Sequence, residues 1–377
     1  MEAVRELALL VAEKGFDAAV FTDAETARHV IQNCADVDAA FRDICILNLN
    51  DEKHLSRYDF LLVTKDGFCY VVSPRAWKNA GQYENKTLGL YLAWDSGGVS
   101  DILRDIAAKH KIKTCGYEPI AMNVHTYQNI IKDAPFSLAE TGRDAYERVR
   151  RIHTPNEMEK IKKALRIAEE ALEELLPKIV PGAVELDLKH ELIANMIKRG
   201  ASAPSCLLLT SGKATGLAHV RPTAKRVEEG DLVMIDFGCV YEDYCSDITR
   251  TFAVGRATDE QIFHYNLVLE AQRAAMDAFR EGLAGRDLHN AALNVFAREG
   301  LGEYFTHGVG HNIGVDLHER PWCGPDSEDV IEAGHAMTIE PGIYFENKYG
   351  IRVEDTLYLS GHGTIQLSKP PRENMIL

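Results

Sequence analysis

Five side chains in the second half of the chain form an ordered set of carboxylates with one imidazole: Asp236, Asp247, His311, Glu340 and Glu354. Such hard, oxygen-rich ligands suit Mn²⁺, Fe²⁺, Co²⁺ or Zn²⁺ better than metals that prefer thiolates. Four negative charges are balanced better by two divalent cations than by one. Two such ions, about 3.5–4 Å apart, can share and activate a water molecule. The set therefore predicts a two-metal hydrolytic site.

The two aspartates lie in two strand-like runs, LVMIDFG and SDITRTF, which flank a polar turn. In an antiparallel hairpin, opposed residues have a constant sum of residue numbers. The sum of 483 for Asp236 and Asp247 centres the turn between Tyr241 and Glu242. The two carboxylates would then face each other, with about 5 Å between their Cβ atoms. Because opposed carboxylates repel each other, this register favours a cation between them; two ordinary solvated aspartates are the alternative.

The segment FTHGVGHNIGVDLHERPW supplies the histidine of the set. Its three glycines disfavour a helix, so His307 and His311 are not predicted to form a helical metal-binding pair. Glycine instead lets the backbone approach a crowded centre closely. His311 is the predicted ligand, and His318 is a second candidate functional histidine. His219, upstream of the hairpin in GLAHVRPT, is a third; a purely structural histidine is the alternative for each.

Both glutamates are predicted to lie inside apolar strands, Glu340 in AMTIEPGIYF and Glu354 in GIRVEDTLYL. A carboxylate among apolar neighbours is costly unless it is paired or bound to a metal. Arg352 lies two residues before Glu354 and would share its face of the strand. A salt bridge to this arginine is therefore the alternative to metal binding.

A chain of 377 residues is too long for one ordinary core and predicts two domains. Residues 1–148 alternate helical and strand-like patterns, which predicts an α/β domain, and they lack a phosphate-binding motif such as G-x-G-x-x-G. In chain order the predicted elements are an amphipathic N-terminal helix, the strands DAAVFT, YDFLLVT and GFCYVVS, the helix SDILRDIAAKHKI and the strand TCGYE.

The second predicted domain, 149–377, begins with two helices. Thr154 is the predicted N-cap of the first helix, with Pro155 at the first helical position. Glu157, three residues after Thr154, completes a capping box. This helix is predicted to extend to Pro177, and the second helix is VELDLKHELIANMIKRG.

The composition excludes several classes of function. The net charge is −15 and no long run of lysine or arginine occurs, so no nucleic-acid-binding groove is predicted. The chain shows neither a signal-peptide pattern nor about 18 consecutive apolar residues, which predicts a cytoplasmic protein without a membrane partner. Eight cysteines without a C-x-x-C pair predict reduced structural thiols.

The order of two aspartates, one histidine and two glutamates resembles that of the pita-bread metallopeptidases, the superfamily of methionine aminopeptidase, prolidase and aminopeptidase P. The resemblance extends from HTPNEMEKIKKA through the C-terminal half, and the spacing is most similar to that of the compact microbial prolidases. The N-terminal part resembles the creatinase-type domain of prolidases and aminopeptidase P. The implied α/β (α+β) fold is a creatinase-like domain, 1–148, followed by a pita-bread metallopeptidase domain, 149–377.

The resemblance also implies a role for each ligand. Asp236 would bind one of two divalent metal ions (Mn, Co, Fe or Zn), and His311 with Glu340 would bind the other. Asp247 and Glu354 would bridge the two ions. A metal-bridging hydroxide would attack the scissile carbonyl group, and Glu340 occupies the family position that accepts and relays the proton.

Further residues match family positions near the substrate. His219 and His318 match histidines that contact the substrate and stabilise the tetrahedral intermediate, and His318 lies in H-E-R-P, the family's H-E-x-P. Arg352 matches an arginine beside the last bridging glutamate. The implied substrate is a small peptide with proline at the second position, and the implied activity is that of an Xaa-Pro dipeptidase. The implied assembly is a homodimer.

Trp322 departs from the family pattern. Many compact prolidases place an arginine just after H-E-x-P, where it can hold the free carboxylate of a dipeptide. A tryptophan cannot pair with a carboxylate, but it can line a pocket or stack on a proline ring. Arg320 would point to the same side as Trp322 only if the segment is a regular strand. Dipeptide selectivity is therefore open, and an aminopeptidase P activity on longer Xaa-Pro peptides is the alternative.

Two more distant alternatives remain. The same fold and metals could serve a hydrolase or lyase of a small non-peptide molecule, since function resides in the site rather than in the fold. A metal-free relative, such as a creatinase-like amidinohydrolase or a noncatalytic binding module, is the other. Such relatives have lost ligands, whereas all five are present in this sequence.

Overall fold

The chain forms two compact units, Met1–Arg150 and Arg151–Leu377. The computed structural model describes residues 2–22, 24–32, 60–73, 83–84, 88–92, 96–119, 122, 124, 127–128, 134–142, 144–369 and 375–377. The predicted domains 1–148 and 149–377 stay a prediction, because compactness does not test whether each part folds independently. No helix among the described residues is long and apolar enough to cross a membrane.

The first unit has a mixed seven-stranded sheet in the order β4-β5-β3-β2-β1-β6-β7. Its helices are α1 (Glu2–Glu13), α2 (Ala24–Gln32), α3 (Ser96–His110) and α4 (Asp144–Arg150). Its strands are β1 (Ala18–Phe21), β2 (Phe60–Thr64), β3 (Cys69–Ser73), β4 (Tyr83–Glu84), β5 (Leu88–Leu92), β6 (Thr114–Tyr117) and β7 (Ser137–Glu140). Apolar side chains on both faces of β1 and β2 are buried, which accounts for their continuous apolar runs.

The elements predicted for this unit are present. The amphipathic first helix is α1, and the four predicted strands are β1, β2, β3 and β6. The predicted helix SDILRDIAAKHKI corresponds to α3, which begins four residues earlier and ends two residues earlier than predicted. The first two residues of YDFLLVT, 58 and 59, lie outside the described residues. The cysteines at 34 and 45 also lie outside them, and the six cysteines that are described are free thiols.

The second unit contains two helix pairs, and each pair precedes a group of strands. The first pair is α5 (Pro155–Leu175) and α6 (Glu185–Lys198), and it precedes β8 (Ala203–Ser211), β9 (Leu232–Tyr241), β10 (Tyr244–Cys245) and β11 (Ile248–Ala253). The second pair is α7 (Asp259–Ala278) and α8 (Gly285–Arg298), and it precedes β12 (Gly310–Asn312), β13 (Glu319–Cys323), β14 (Ala336–Ile339), β15 (Gly342–Phe345), β16 (Tyr349–Arg352), β17 (Asp355–Ser360) and β18 (Gly363–Gln366).

These strands form three sheets. Strands β8 to β11 make a four-stranded antiparallel sheet, and β12, β13, β14, β17 and β18 make a five-stranded sheet. Strands β15 and β16 form a two-stranded antiparallel pair. One hydrophobic core joins α5 and α6 to the four-stranded sheet. A second core joins α7 and α8 to the five-stranded sheet and the β15–β16 pair. Helices therefore cover the sheets, and the polar centre described below is built at the strands.

The predicted capping box of α5 is confirmed. Thr154 accepts a hydrogen bond from the backbone of Glu157, whose carboxylate accepts one from the backbone of Thr154. The same carboxylate also accepts a 2.6 Å hydrogen bond from the hydroxyl of Tyr244 in β10. The start of α5 thus holds the tip of the β9–β11 hairpin, which carries the two candidate aspartates.

The predicted register of this hairpin is wrong by two. Asp236 pairs with Thr249, a sum of 485, and Asp247 lies just before β11. The turn is centred between Glu242 and Asp243, which both have positive φ angles, as a tight two-residue hairpin turn requires. A shift of two preserves the side-chain face, because alternate residues of a strand point to the same side. Both aspartates therefore still reach the same side of the sheet.

The predicted strands around the two glutamates are each interrupted at the glutamate. Glu340 lies between β14 and β15, and Glu354 lies between β16 and β17. At both points the chain passes between the five-stranded sheet and the β15–β16 pair. The carboxylates therefore project from two adjacent strand breaks rather than from regular strand positions.

A buried glutamine of α7 holds both breaks. The side-chain amide of Gln272 donates to the carbonyl oxygens of Ile339 and Val353, at 3.1 and 3.2 Å. These two residues directly precede the two glutamates. The same amide lies 3.1 Å from a carboxylate oxygen of Asp355, which also forms a buried 2.7 Å ion pair with Arg250 of β11. One polar network thus fixes the ends of three strands.

Replacing Gln272 with leucine is expected to lower the free energy of unfolding by about 1–3 kcal/mol, because two buried carbonyl oxygens lose their donor. Urea unfolding followed by circular dichroism measures this change. Arg273→Ala, at an exposed position of the same helix, is the matched control and should change stability by less than about 0.5 kcal/mol. A Gln272→Leu protein as stable as the wild type would refute the role of this amide.

Candidate metal centre

Two groups of potential metal ligands lie side by side, and Asp247 belongs to both. Cys206, Asp236 and Asp247 have ligand atoms within 4.8 Å of one another, as do Asp247, His311 and Glu354. The two groups include four of the five predicted ligands. Asp247, His311 and Glu354 are far apart in sequence, so the fold itself brings them together. Carboxylate oxygens and an imidazole nitrogen are donors that divalent cations accept.

The fifth predicted ligand, Glu340, lies against His311. The Nε2 atom of His311 is 3.3 Å from Oε1 of Glu340 and 3.7 Å from Oδ2 of Asp247. The Nδ1 atom lies 3.1 Å from the carbonyl oxygen of Asn312 and can donate to it, so Nε2 is the atom left to face the carboxylates. Such a bond fixes the ring orientation and is usual for histidines that bind metals.

The electrostatics of the site favour added positive charge. Burial, followed by the charge of Asp236, raises the pKa of Asp247 well above its ordinary value. Burial and the charge of Asp247 raise the pKa of Glu354 in the same way. Burial lowers the pKa of His311, but its hydrogen bond to Glu340 and the charges of Glu340 and Asp247 outweigh that effect and raise it to about 9. The negative charge of the site thus favours bound protons, and a divalent cation would compensate the same negative charge.

One oxygen of Glu354 supports this fit. Its Oε2 atom accepts a 2.6 Å hydrogen bond from the hydroxyl of Thr249. Its Oε1 atom is buried and has no hydrogen-bond partner among the described residues. A buried carboxylate oxygen without a donor is costly unless a cation satisfies it. The donor set and this oxygen together fit a bound divalent cation.

Arg352 does not pair with Glu354, as the salt-bridge alternative required. Its guanidinium donates to Oδ2 of Asp236 at 2.5 Å and to the hydroxyl of Tyr344 at 2.6 Å. The Tyr344 hydroxyl in turn lies 2.8 Å from Nε2 of His307, whose Nδ1 is 2.7 Å from the carbonyl oxygen of Gly308. Since Nδ1 carries the hydrogen for that bond, Tyr344 donates to Nε2. Arg352 therefore orients Asp236 directly, and Arg352 is itself held by Tyr344, which is hydrogen-bonded to His307.

Two threonines that sequence analysis missed also orient site residues. Thr249 binds Glu354, as described above, and the Thr338 hydroxyl lies 3.2 Å from Oε1 of Glu340. The signal was available in the sequence, because each threonine lies two residues from a predicted ligand, Asp247 or Glu340, and alternate strand residues share a face. The carbonyl oxygen of Thr338 would be only 1.9 Å from a Cβ added at Gly310. Glycine thus allows the close backbone approach beside His311.

Two of the candidate substrate-contacting residues, His318 and Trp322, lie beside His311. His318 and Trp322 are exposed, and their rings stack with 5.4 Å between centroids and 18° between planes. The His311 ring lies 4.5 Å from the ring of His318 and 5.7 Å from that of Trp322. His219 is exposed and directly follows Ala218, whose carbonyl oxygen accepts a hydrogen bond from Arg352. The charge of His219 also contributes to lowering the pKa of His307, although burial is the main cause.

Arg320 lies two residues from Trp322 in β13, where buried and more exposed residues alternate. The pairing of β13 with β12 shifts between Glu319 and Trp322, so this segment is not the regular strand that would point both side chains to the same side. Arg320 forms a 2.6 Å ion pair with Asp329, which also accepts a hydrogen bond from the backbone of Trp322. A carboxylate of this chain thus already binds the arginine nearest to Trp322 in sequence.

Comparison with known proteins places these features in a family. The family model described as metallopeptidase family M24 matches residues 159–360, more than half of the chain. The chain is 32% identical to the uncharacterized peptidase YqhT of Bacillus subtilis over 77% of its own length and 82% of that protein. It is 37% identical to the Xaa-Pro dipeptidase of Pyrococcus horikoshii, over 61% of its length and 66% of that protein.

The whole fold also has a counterpart among solved structures. The Xaa-Pro dipeptidase from Bacillus anthracis superimposes with a TM-score of 0.86 at 29% sequence identity, over 100% of this chain and 99% of that one. The α/β architecture expected from the resemblance, with its pita-bread catalytic part, is therefore confirmed. On the family match, the identity to these relatives and the shared fold, the chain belongs to metallopeptidase family M24.

Proposed function

We propose that this chain binds two divalent cations and hydrolyses the Xaa-Pro bond of small peptides. The observation that carries the dinuclear part is the position of Asp247, whose carboxylate belongs to both groups of ligand atoms. A single carboxylate with its two oxygens can bridge two adjacent ions. The substrate class rests on the likeness to proteins described as Xaa-Pro dipeptidases.

In this proposal Asp236 would hold one cation, and His311 with Glu340 would hold the other. Asp247 and Glu354 would supply ligands to both. The unpaired Oε1 of Glu354 and the contacts of Asp247 on both sides support the bridging roles. Manganese, cobalt, iron and zinc all suit the oxygen and nitrogen donors.

The cations, when bound, would lower the pKa of a water molecule and polarise the scissile carbonyl group. The residues of the chain would then move the proton and hold the substrate. Glu340 is the proposed proton acceptor, because its carboxylate lies at the edge of the ligand set against His311. His318 and His219 are exposed beside the site and would donate hydrogen bonds to the carbonyl oxygen.

Trp322 is proposed to line the pocket for the substrate proline. Its exposed ring lies beside His318 and offers an apolar face at the rim of the site. The ion pair of Arg320 with Asp329 favours a site that does not depend on this arginine to hold a free carboxylate. Longer peptides, as cleaved by aminopeptidase P, are therefore the second candidate substrates. A cytoplasmic location and a homodimeric state complete the proposal.

A small non-peptide substrate is the remaining candidate, and Trp322 is the feature that favours it. The metal-free alternative is less well supported. All five candidate ligands are present, and the buried oxygen of Glu354 has no other partner among the described residues.

The first test compares peptides after the protein is stripped of metal and reloaded with Mn²⁺ or Co²⁺. Met-Pro and a longer Met-Pro-Xaa peptide are assayed beside Met-Ala, which lacks the Xaa-Pro bond. We expect release of methionine from at least one Xaa-Pro peptide and a rate on Met-Ala lower by about a hundredfold or more. No hydrolysis of either Xaa-Pro peptide by protein with two bound metal ions would reject the substrate class.

Asp247→Asn is expected to lower kcat/KM by about a thousandfold or more and to remove one equivalent of bound metal, because a neutral amide is a poor bridging ligand. Elemental analysis of the purified protein measures the metal. Glu242→Gln, which alters an exposed carboxylate of the same hairpin, is the control and should keep both metal equivalents. Retention of full activity and two metal ions by Asp247→Asn would remove the bridging assignment.

Trp322→Ala is expected to raise KM for the Xaa-Pro peptide about tenfold, because the proline ring would lose its aromatic wall. Trp322→Phe keeps an aromatic face and should stay within about threefold of the wild-type KM. Steady-state kinetics on both variants separates the ring's contribution from loss of folding. Equal KM values for the alanine variant and the wild type would exclude contact of this ring with the substrate.

A further inference from the structure

A cysteine thiol lies beside the two candidate aspartate ligands. Sγ of Cys206 is 3.2 Å from Oδ1 of Asp247 and 3.4 Å from Oδ1 of Asp236. These three residues form one of the two groups whose ligand atoms lie within 4.8 Å of one another. This position distinguishes Cys206 from the structural thiol that the sequence predicts.

A local irregularity of β8 puts the thiol there. The pairing of β8 with β9 shifts between Pro204 and Leu207, so Cys206 lies in a bulge. Bulges redirect side chains and occur often beside active sites. The bulge lies opposite Gly238, where an added Cβ would be 1.8 Å from the carbonyl oxygen of Ser246 and 2.5 Å from the Ser205 hydroxyl. The absent side chain therefore leaves room for this bend.

A hydrogen bond alone does not explain the arrangement. A thiol carries one hydrogen and is a weak donor, so it can satisfy only one of the two carboxylates at a time. The other carboxylate would then face the electron-rich sulfur at van der Waals distance. Burial, followed by the charges of Asp247 and Asp236, raises the pKa of the Cys206 thiol well above its ordinary value, so the sulfur keeps its proton unless a cation is bound.

The spacing matches a shared cation. Zinc lies about 2.3 Å from a thiolate sulfur and about 2.0–2.2 Å from a carboxylate oxygen. Two such ligands on one ion are therefore separated by about 3.1 Å at a right angle and about 3.6 Å at a tetrahedral angle. The observed separations of 3.2 and 3.4 Å fall between these two geometries.

A second observation points independently to a ligand at this centre. Oε1 of Glu354 is buried and has no hydrogen-bond partner among the described residues, and Glu354 is 1% exposed. Glu354 shares Asp247 with the cysteine-containing group. Two buried cysteines of the same sheet have different surroundings, since Cys239 and Cys245 direct their sulfur atoms to backbone carbonyl oxygens.

We propose that Cys206 is an additional ligand of the cation held by Asp236 and Asp247, and that its sulfur gives this position a preference for thiophilic metals such as Zn²⁺, Co²⁺ and Cd²⁺ over Mn²⁺. On binding, the metal–sulfur bond forms as the thiol proton leaves to the solvent buffer, with no change of oxidation state. This inference rests on the metal centre of the proposed function and adds a sulfur donor to it.

The test is a metal titration of the full-length apoprotein, with no peptide present. Cobalt is the probe, because a cobalt–thiolate bond gives an intense charge-transfer absorption in the near ultraviolet that oxygen and nitrogen ligands do not give. Cys206→Ser keeps the size of the side chain but removes the soft donor. Cys245→Ser, at a buried cysteine whose sulfur contacts a carbonyl oxygen, is the matched control.

Wild type and Cys245→Ser are expected to show the charge-transfer band, and Cys206→Ser to lack it while still binding cobalt. The Cd²⁺ to Mn²⁺ affinity ratio should fall about tenfold or more in Cys206→Ser, with the Mn²⁺ affinity changed by less than about threefold. Competition with a chelator of known affinity measures both, and circular dichroism verifies folding.

Cobalt binding by the wild type without the band would overturn the sulfur ligand and leave the proposed function intact. An equal loss of Mn²⁺ and Cd²⁺ affinity in Cys206→Ser would also overturn it, because the thiol would then shape the site without selecting the metal. Failure of the wild type to bind any cobalt would overturn both proposals. The outcomes therefore separate the two.

Discussion

The repulsion among four carboxylates gathered around one buried site is the constraint on which the rest of the catalytic unit depends. Asp247 and Glu354 are nearly inaccessible to solvent, and both hold protons well above their ordinary pKa because burial and neighbouring carboxylates disfavour the charged form. No apolar packing removes that cost. The fold reduces this cost with two hydrogen-bond donors, Arg352 to Asp236 and Thr249 to Glu354. One oxygen of Glu354 is left for a cation.

Holding the carboxylates together requires a rigid junction of sheets. The two glutamates project from breaks where the chain passes between the five-stranded sheet and the β15–β16 pair. Gln272 binds the carbonyl group before each break, and the buried Arg250–Asp355 pair joins β11 to the start of β17. A buried ion pair contributes little net stability, so the main effect of this one is to hold the two strands together at this point. Precision at the site thus comes from polar groups, while the two cores supply most of the stabilisation.

Residue type and order were enough to predict the ligand candidates, and strand periodicity placed Asp236 and Asp247 on one face even though the register was wrong by two. Pro341, directly after Glu340, signalled a break in the first of the two predicted strands. The break at Glu354 was not predictable from local pattern, because a single strand-like run divides between two sheets. The alternative prediction, an ion pair of Arg352 with Glu354, was wrong for a related reason. The nearest carboxylate to Arg352 in sequence is two residues away, but the one that it binds is Asp236, from another strand of another sheet.

The bulge at Cys206 was also not predictable, and it changes the set of potential metal ligands beside Asp236. A regular β8 would have a different alternation of side chains, and nothing in the run APSCLLLTS signals that one of its residues faces two carboxylates. With the thiol included, the donors beside Asp236 are no longer purely hard, whereas those around His311 remain oxygen and nitrogen. The two positions that share Asp247 would then differ in metal preference. Such asymmetry suits two roles within one centre, since a soft donor can anchor one ion while the harder position binds water and substrate oxygen.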